Sequence, residues 1–258
     1  MGNRKEVLII IPAYNEEKTI VPVFEKLEQP EIAQIADVLV MNDASSDATN
    51  HVTKKRKHDV VTHVFNLGYG SGLQLGYKYA VRKDYRYVIQ MDADGQHDVC
   101  NIPVIYKELT TPDSDGNFPD IVLGSRFVEG STPFPVSAAK KFAFRLFRRM
   151  IKTATGQTVM DPTTGLQGLS WRAALFYSKF NHFDDRYPDA NMIIQMILLG
   201  FRVKEVPAVM HVRTTGESMH SGLKPIVYMI RMFFSILATV FHIKVLKWDD
   251  CVRKEMDT

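Results

Sequence analysis

Short apolar runs alternate with longer helical patterns over the first half of the chain, and this alternation limits the fold more than any other feature. The predicted strands are 6–12, 36–42, 60–65, 86–91 and 120–125. The predicted helices between them are 17–28, 47–57, 71–83 and 101–110. Near-continuous apolar strands joined by helices are typical of a mostly parallel sheet that is covered on both faces. The sequence therefore predicts an α/β domain, in which ligands bind beyond the carboxyl ends of the strands.

Composition excludes several other classes of protein. With 45% hydrophobic and 24% charged residues, the chain has the composition of a globular protein rather than a disordered or fibrous one. Its two cysteines, Cys100 and Cys251, lie far apart, which supports neither a disulfide framework nor a zinc site. The apolar segment near the N-terminus is too short for a secretory signal, so we expect a cytoplasmic protein.

The basic residues are concentrated in one segment. The net charge is only +3, which does not indicate a nucleic-acid-binding surface. A helix predicted at about 136–154, however, carries six basic residues and no acidic one between Lys140 and Lys152. This concentration favours a local anionic partner, such as lipid headgroups at a membrane surface.

The last predicted helix, at about 222–246, is apolar around most of its circumference. Its few polar positions recur every three or four residues and so form one narrow stripe. They are Arg231, Ser235, Thr239 and His242. Its longest run without a charged or titratable residue is far below the ~20 residues needed to cross a bilayer. We expect this helix to lie in a membrane interface, to dock on a small membrane-protein partner or to pack in a homo-oligomer.

Two aspartates, Asp92 and Asp94, directly follow the predicted strand 86–91 and precede Gly95 and Gln96. Carboxylates at positions i and i+2 can reach one hard divalent cation that also holds a diphosphate. Aspartate pairs are also common on protein surfaces, but a pair placed at the end of an apolar strand favours a metal site. The sequence therefore predicts a metal–diphosphate clamp here.

Two other strand ends carry candidate nucleotide-binding residues. The first strand ends in the segment from Pro12 to Glu16, and the second ends in the segment from Asn42 to Asp47. Asp43 can accept a hydrogen bond from uracil or from a ribose hydroxyl, and the alternative is a helix cap.

A glycine-rich segment, Asn66 to Gly72, opens the next predicted helix. Glycines there would allow the backbone to approach a nucleotide closely, and the helix N-terminus would favour negative charge. The segment does not match the dinucleotide-binding fingerprint, which would follow the first strand, so a Rossmann-type dehydrogenase is disfavoured.

Five motifs in this order resemble those of family 2 glycosyltransferases with the GT-A fold, in the branch of dolichol-phosphate mannose synthases and polyprenyl-phosphate glycosyltransferases. The motifs are Pro12-Ala-Tyr-Asn-Glu16, Asn42-Asp43-Ala-Ser-Ser-Asp47, Asn66-Leu-Gly-Tyr-Gly70, Asp92-Ala-Asp94-Gly-Gln96 and Gly124-Ser-Arg126. The segments 161–165, 187–190, 205–207 and 213–218 resemble acceptor-side and C-terminal motifs of bacterial members from polysaccharide clusters. The resemblance implies a single GT-A domain over 1–218, followed by an amphipathic helix and tail over 219–258.

The resemblance also implies roles for individual residues. Asp92, Asp94 and Gln96 would bind Mg²⁺ or Mn²⁺, and Arg126 would meet an acceptor phosphate, although Arg126 can also pair with a local carboxylate. The residues that would hold the nucleotide donor are Pro12, Tyr14, Glu16, Asp43, Gly68, Gly70, Asp92 and Arg213.

The implied reaction is an inverting displacement at the anomeric carbon of a nucleotide-diphosphate sugar, with uridine diphosphate favoured by family usage. The acceptor would be polyprenyl phosphate or a lipid-linked glycan in the synthesis of cell-envelope polysaccharide. A phosphate acceptor needs no general base, whereas a sugar hydroxyl does. Asp189 is the first candidate base and Asp161 the second; the alternatives are a helix N-cap for Asp189 and a loop turn for Asp161.

Some features depart from the family pattern, and two other functions stay open. Family members with polyprenyl-phosphate substrates often carry paired transmembrane helices, whereas this chain has one amphipathic helix. The basic pair expected on the acceptor helix is most nearly Lys140 and Lys141. The alternatives are a nucleotidyltransferase, which typically has a glycine-rich basic loop after strand one, and a noncatalytic partner that retains the fold.

Overall fold

A seven-stranded sheet forms the centre of the protein in the computed structural model, which describes residues 5–212 and 224–248. The strands are β1 (Val7–Ala13), β2 (Ala36–Asn42), β3 (Asp59–Thr62), β4 (Tyr87–Gln90), β5 (Ile121–Ser125), β6 (Gln167–Ser170) and β7 (Val203–Pro207). Their order across the sheet is β3-β2-β1-β4-β6-β5-β7. Strand β6 is antiparallel to β4 and β5, and the other neighbouring pairs are parallel. The prediction of a mostly parallel α/β sheet is confirmed.

Helices cover both faces of the sheet. In the described residues they are α1 (Ile20–Leu27), α2 (Pro30–Ala33), α3 (Thr49–Lys55), α4 (Tyr69–Arg82), α5 (Asn101–Leu109), α6 (Ala138–Thr155), α7 (Trp171–Ser178), α8 (Ala190–Leu198) and α9 (Lys224–Lys244). Successive side chains of a strand point to opposite faces, so β1 feeds two separate cores. Val7 and Ile9 pack with α1 and α5, whereas Leu8 and Ile10 pack with α4 and α6 to α9.

The predicted elements agree with these bounds to within a few residues, and the largest difference along the strands is at β3. This strand ends at Thr62, three residues before the predicted end. The next residues, Val64 and Phe65, are highly exposed and lie in a loop. Their β-branched and aromatic character matched a strand, but no neighbouring strand extends beyond Thr62 to pair with them, since β2 ends opposite it at Asn42.

Helix α9 packs along α8 and α6 through Met232, Ile236 and Ile243, which are buried. Ser235 of the polar stripe lies toward the domain, where it accepts a hydrogen bond from Asn191 Nδ2 at 2.9 Å. The face left exposed is apolar, which differs from the usual arrangement of a surface helix. The exposed apolar side chains are Val227, Ile230, Phe234, Leu237 and Phe241.

Helix α9 also has the length and composition of a possible membrane span. The window Val227–Lys244 has a mean hydropathy of 1.4, and 17% of it is buried against the domain. Most of this helix is therefore left uncovered by the domain. The proposed domain boundary at 218/219 lies outside the described residues.

Candidate active site

The parallel strands β1, β2 and β4 bring the predicted site residues to one edge of the sheet. Asp43 directly follows β2, and its backbone N–H donates to the Ala13 carbonyl at the end of β1, at 2.9 Å. Asp92 lies two residues beyond β4, on the other side of β1. Tyr14 is exposed at the same edge, and Pro12 is half-buried within β1. The structure therefore brings together the candidate residues from the first, second and fourth strands.

Asp43 organises the loop that leads into α4. Its carboxylate accepts hydrogen bonds from the backbone N–H groups of Leu67 (2.9 Å) and Gly68 (2.8 Å), and it contacts His63 Nδ1 at 2.7 Å. The helix-cap alternative for Asp43 is wrong, because the next helix begins at Thr49 and the Thr49 N–H bonds to Asp47 instead. A contact between Asp43 and the nucleotide stays a prediction.

Gly68 and Gly70 shape the start of α4. Gly68 has a φ of 97°, a conformation that favours glycine. A Cβ on Gly70 would lie 2.2 Å from the Asp184 carbonyl oxygen, and the Ser71 N–H donates to the Asp185 carbonyl at 3.0 Å. Gly70 therefore permits a close approach of the chain's own backbone at 184–185. The sequence had suggested that a nucleotide would approach the backbone here instead.

The structure holds Asp92 through several contacts. Its Oδ1 accepts from the Tyr69 hydroxyl at 3.0 Å, and its backbone N–H donates to His97 Nδ1 at 3.1 Å. A Cβ on Gly165 would lie 2.7 Å from Asp92 Oδ2, so the glycine lets this carboxylate approach the backbone closely. On Asp94, Oδ1 accepts from the backbone N–H of Gln96 at 3.0 Å, which ties the two predicted ligands together.

These residues fit a hard divalent cation. In residues 5–212 and 224–248, no group of three or more His, Cys, Asp or Glu side chains is gathered to hold a metal. Mg²⁺, however, is usually bound by one or two carboxylates together with substrate phosphates, rather than by an all-protein cage. Carboxylate oxygens on Asp92 and Asp94, in the loop beyond β4, match that pattern. Whether the Gln96 side chain also binds the ion stays a prediction.

Arg126 and Asp161 form a buried ion pair. Asp161 accepts from Arg126 Nε at 2.7 Å, from Nη2 at 2.6 Å and from the Arg126 backbone N–H at 2.9 Å. Asp161 is fully buried, and its own N–H donates to Glu205 at 2.8 Å. Arg126 thus pairs with a carboxylate, and its contact with an acceptor phosphate stays a prediction. A carboxylate occupied in this way is poorly placed to take a proton from an acceptor, so the geometry favours Asp189 over Asp161 as the base.

A basic, aromatic cleft of about 400 Å³ lies beside Arg126. It is lined by Phe127, Phe134, Val136, Lys141, Phe144, Arg145 and Arg148. The Arg126 guanidinium lies 5.4 Å from the ring centres of Phe127 and Phe144, so it stacks within this cleft as well. The cleft combines apolar walls with cations, which suits a ligand with an anionic head and an apolar chain.

Asp189 is the N-cap residue of α8, yet its side chain makes no capping hydrogen bond. Its Oδ2 instead accepts from the hydroxyl of Tyr228 on α9, at 2.6 Å. Burial raises the pKa of Asp189 to about 6; the Tyr228 hydrogen bond opposes this rise, and the charge of Asp92 adds to it. Asp189 therefore occupies the N-cap position, as the alternative predicted, but its carboxylate does not cap the helix and is available for another role.

Three residues of this site were not assigned a role from the sequence. Tyr69 and Gly165 both lie in quoted motifs, and their contacts with Asp92 depend on segments that are distant in the chain. Tyr228 lies in the apolar pattern of the last helix, where an aromatic residue is normally interpreted as packing. Arg213 and Glu16 complete the predicted set: Arg213 lies outside the described residues, and Glu16 is half-buried beyond β1.

The sheet order and the carboxylates at its edge define an α/β glycosyltransferase domain of the GT-A type, as the motifs predicted. The chain belongs to glycosyl transferase family 2, whose model matches residues 8–174.

Relatives with assigned names share this family. The undecaprenyl-phosphate mannosyltransferase of Micrococcus luteus is 30% identical over 234 residues, which cover 84% of this chain and 88% of that protein. The polyprenol monophosphomannose synthase of Mycolicibacterium smegmatis is 26% identical over 233 residues, which cover 84% of this chain and 82% of that protein.

A solved structure supports the fold. Glucosyl-3-phosphoglycerate synthase from Mycobacterium tuberculosis, in complex with Mn²⁺, uridine diphosphate and phosphoglyceric acid, matches with a TM-score of 0.62 at 18% identity. The match covers 93% of this chain and 78% of that one. At this identity the likeness shows the GT-A fold alone.

Proposed function

We propose that this enzyme transfers a sugar from a nucleotide-diphosphate sugar, with UDP-sugars as the first candidates, to polyprenyl phosphate. The observation that carries the proposal is the basic, aromatic cleft next to Arg126, because a polyprenyl phosphate has the anionic head and apolar chain that such a cleft accommodates. The relatives named for undecaprenyl phosphate and polyprenol support the same acceptor class. Membership in a glycosyltransferase family sets the nucleotidyltransferase alternative aside.

The donor would bind along the edge formed by β1, β2 and β4. Asp43 fixes the turn at Leu67 and Gly68 beside this edge. A divalent cation held by Asp92 and Asp94 would stabilise the negative charge on the departing nucleoside diphosphate. Tyr69 holds the Asp92 carboxylate in place for this task.

The acceptor phosphate would bind at Arg126. Its Nε and Nη2 are engaged by Asp161, and among the described residues Nη1 takes no part in that ion pair. Lys141 and Arg145 add positive charge in the adjoining cleft. A phosphate acceptor is already an anion, so it can attack the anomeric carbon without a general base. Attack opposite the leaving diphosphate would invert the anomeric configuration.

Asp189 would then face the transferred sugar and accept hydrogen bonds from its hydroxyl groups. The charges of Asp92 and Arg126 both influence this carboxylate, which supports a position between the metal side and the acceptor side of the site. With a lipid-linked glycan as acceptor, the same carboxylate would serve as the base, and a pKa of about 6 suits that task near neutral pH.

A transfer assay tests the proposed function. The full chain is incubated with Mn²⁺ or Mg²⁺ and a panel of nucleotide sugars, with undecaprenyl phosphate and a lipid-linked glycan as parallel acceptors. We expect product on the bare phosphate, with inverted configuration by NMR of the new anomeric centre. Product on the glycan alone would contradict the phosphate acceptor, retention would contradict the displacement, and no turnover of any donor would favour the noncatalytic alternative.

We also propose that α9 lies in the surface of an anionic membrane, where a lipid-linked acceptor would be located. Burial of the exposed apolar face of α9 in lipid would remove it from water. The exposed cations Lys140, Arg145 and Arg149 on α6 suit anionic lipid headgroups. A second copy of the chain, the homo-oligomer alternative, would bring like charges together if both copies used this basic surface. A membrane therefore covers the face better than a second copy does.

Replacing Phe234 and Leu237 together with serine should weaken binding to anionic vesicles by at least about 10-fold, because two exposed apolar side chains would leave the lipid. Co-sedimentation with vesicles containing phosphatidylglycerol measures this. Phe118→Ser is the matched control, since Phe118 is an exposed aromatic residue in the loop before β5 and does not belong to α9. Unchanged vesicle binding with loss of a dimer in ultracentrifugation would assign the face to a second copy.

A further inference from the structure

Tyr228 connects the last helix directly to the site. Its hydroxyl donates to Asp189 Oδ2 at 2.6 Å, and among the described residues it makes the only hydrogen bond to that carboxylate. The two residues are 39 positions apart in the chain, so the contact exists only while α9 is seated on the domain. Asp189 is thus oriented by α9, a helix that does not belong to the strand ends where the other site residues lie.

Further contacts hold α9 against the segment that carries Asp189. Asn191 Nδ2 donates to both Ser235 on α9 (2.9 Å) and Asp184 (2.7 Å). The ring of Tyr187 packs edge-to-face on Tyr228, with centroids 5.6 Å apart, and Arg231 lies 5.7 Å from the same Tyr187 ring. Helix α9 therefore contacts the segment from 184 to 191 through three of its residues, Tyr228, Arg231 and Ser235.

The segment from 184 to 191 also reaches the donor side of the site. The Asp185 carbonyl accepts from the Ser71 N–H at 3.0 Å, and Gly70 packs against the backbone at 184–185. Next to Gly70, Tyr69 bonds to Asp92. A shift of this segment would therefore displace Asp189 and the start of α4 together.

We propose that Tyr228 is a positioning residue for Asp189. Through this residue, the packing of α9 on the domain would control the geometry at the transferred sugar. The proposal rests on the proposed function, because it gives Asp189 a role at that sugar. Tyr228 would act on the reaction through Asp189. We have proposed that the outer face of α9 binds the membrane. Binding of that face would therefore keep the hydrogen bond between Tyr228 and Asp189 in place.

The charges around Asp189 explain why a hydroxyl donor matters there. Burial disfavours its ionised form, and Asp92 and Asp184 repel it, whereas Tyr228 and Arg126 favour it. The Tyr228 side chain is partly buried against the domain, and its hydroxyl supplies a hydrogen bond to this carboxylate. Without it, Asp189 would take a different rotamer or a proton, and either change would remove a hydrogen-bond acceptor from the sugar site.

The first test is Tyr228→Phe in the full chain, which keeps the ring and its packing and removes only the hydroxyl. We expect kcat for transfer to fall about 5- to 10-fold with little change in the donor KM, as for loss of one hydrogen bond that orients a reacting group. The acidic limb of the pH profile should move to higher pH, because a carboxylate that loses a donor is protonated more easily. Tyr106→Phe is the matched control, since its hydroxyl bonds to Glu6 far from the site.

A second measurement is independent of turnover. In protein labelled with ¹³C at aspartate carboxyl groups, the Asp189 signal is assigned by its loss in Asp189→Asn. Its titration midpoint should rise by about half a pH unit or more in Tyr228→Phe and stay unchanged in Tyr106→Phe.

The two measurements separate the possible failures. An unchanged Asp189 titration would overturn the inference even if the enzyme transfers sugar as proposed. A shifted titration with parental kcat and pH profile would make Tyr228 a structural neighbour, and would also overturn it. If the parent enzyme transfers no sugar to any acceptor, the proposed function fails, and with it the role of Asp189 on which this inference rests.

Discussion

Asp94→Asn should reduce sugar transfer by about 10³-fold while leaving the fold intact. Asparagine has the shape of aspartate but not its charge, and a divalent cation bound to a diphosphate stabilises the leaving group through charge. Asp94 lies in the loop beyond β4, where its Oδ1 accepts one backbone hydrogen bond from Gln96 that an asparagine carbonyl can also accept. The loss should therefore be chemical, with the melting temperature within a few degrees of the parent.

Two measurements identify the cause of that loss. Binding of Mn²⁺ in the presence of the nucleoside diphosphate, followed by electron paramagnetic resonance, should weaken at least about 10-fold in Asp94→Asn. Asp115→Asn, in the exposed loop between α5 and β5, is the matched control and should change neither quantity. Parental transfer by Asp94→Asn would remove this residue from the metal site. Lost transfer with parental Mn²⁺ binding would move its role to the sugar.

The strands that carry most of the site could be predicted because each is a continuous apolar run bounded by turn residues. The runs that form β1, β2, β4 and β5 have this character, and their ends agree with the prediction to within one residue. Their parallel pairing follows from the helices between them, and it places Asp43 and Asp92 at one edge.

Strand β6 could not be predicted, because it is four residues long and reads Gln-Gly-Leu-Ser, with no run of β-formers. It is a strand because β4 and β5 bond to it from both sides. A Cβ on Gly168 would lie 2.2 Å from Ile105, so glycine is needed for α5 to pack on this strand. The strand forms only because partners distant in the sequence pair with it, and a pattern of neighbouring residues carries no information about such partners.

The roles of individual carboxylates also could not be predicted from the sequence. Asp161 and Asp189 were both predicted as candidate bases, since each lies in a segment that resembles the acceptor-side and C-terminal motifs of the family. The structure separates them by their partners: one binds an arginine in a buried ion pair, and the other accepts a single tyrosine hydroxyl. Those partners lie 35 and 39 residues away in the chain, so neither could be paired with its aspartate from spacing alone.

Asp161→Asn should lower the free energy of unfolding by about 3–5 kcal/mol, because it leaves the Arg126 guanidinium buried without its counter-charge. Asp161 is fully buried, and the Arg126 side chain is 14% exposed. Urea denaturation measures the loss. Asp37→Asn is the matched control: the Asp37 carboxylate pairs with Lys5 at 3.1 Å, and both side chains are about a third exposed, so its cost should stay below about 1 kcal/mol.

A double-mutant cycle distinguishes the structural role of Asp161 from a catalytic one. Arg126→Met removes the other partner, and in the double variant no charge of this pair is left buried. If Asp161 exists to hold Arg126, the double variant should be more stable than the sum of the single losses predicts, by about 2 kcal/mol or more. Additive losses would show that the two residues act independently. Additive losses combined with an Asp161→Asn enzyme that folds normally but transfers no sugar would instead restore Asp161 as a catalytic base, and Asp189 would then lose that role.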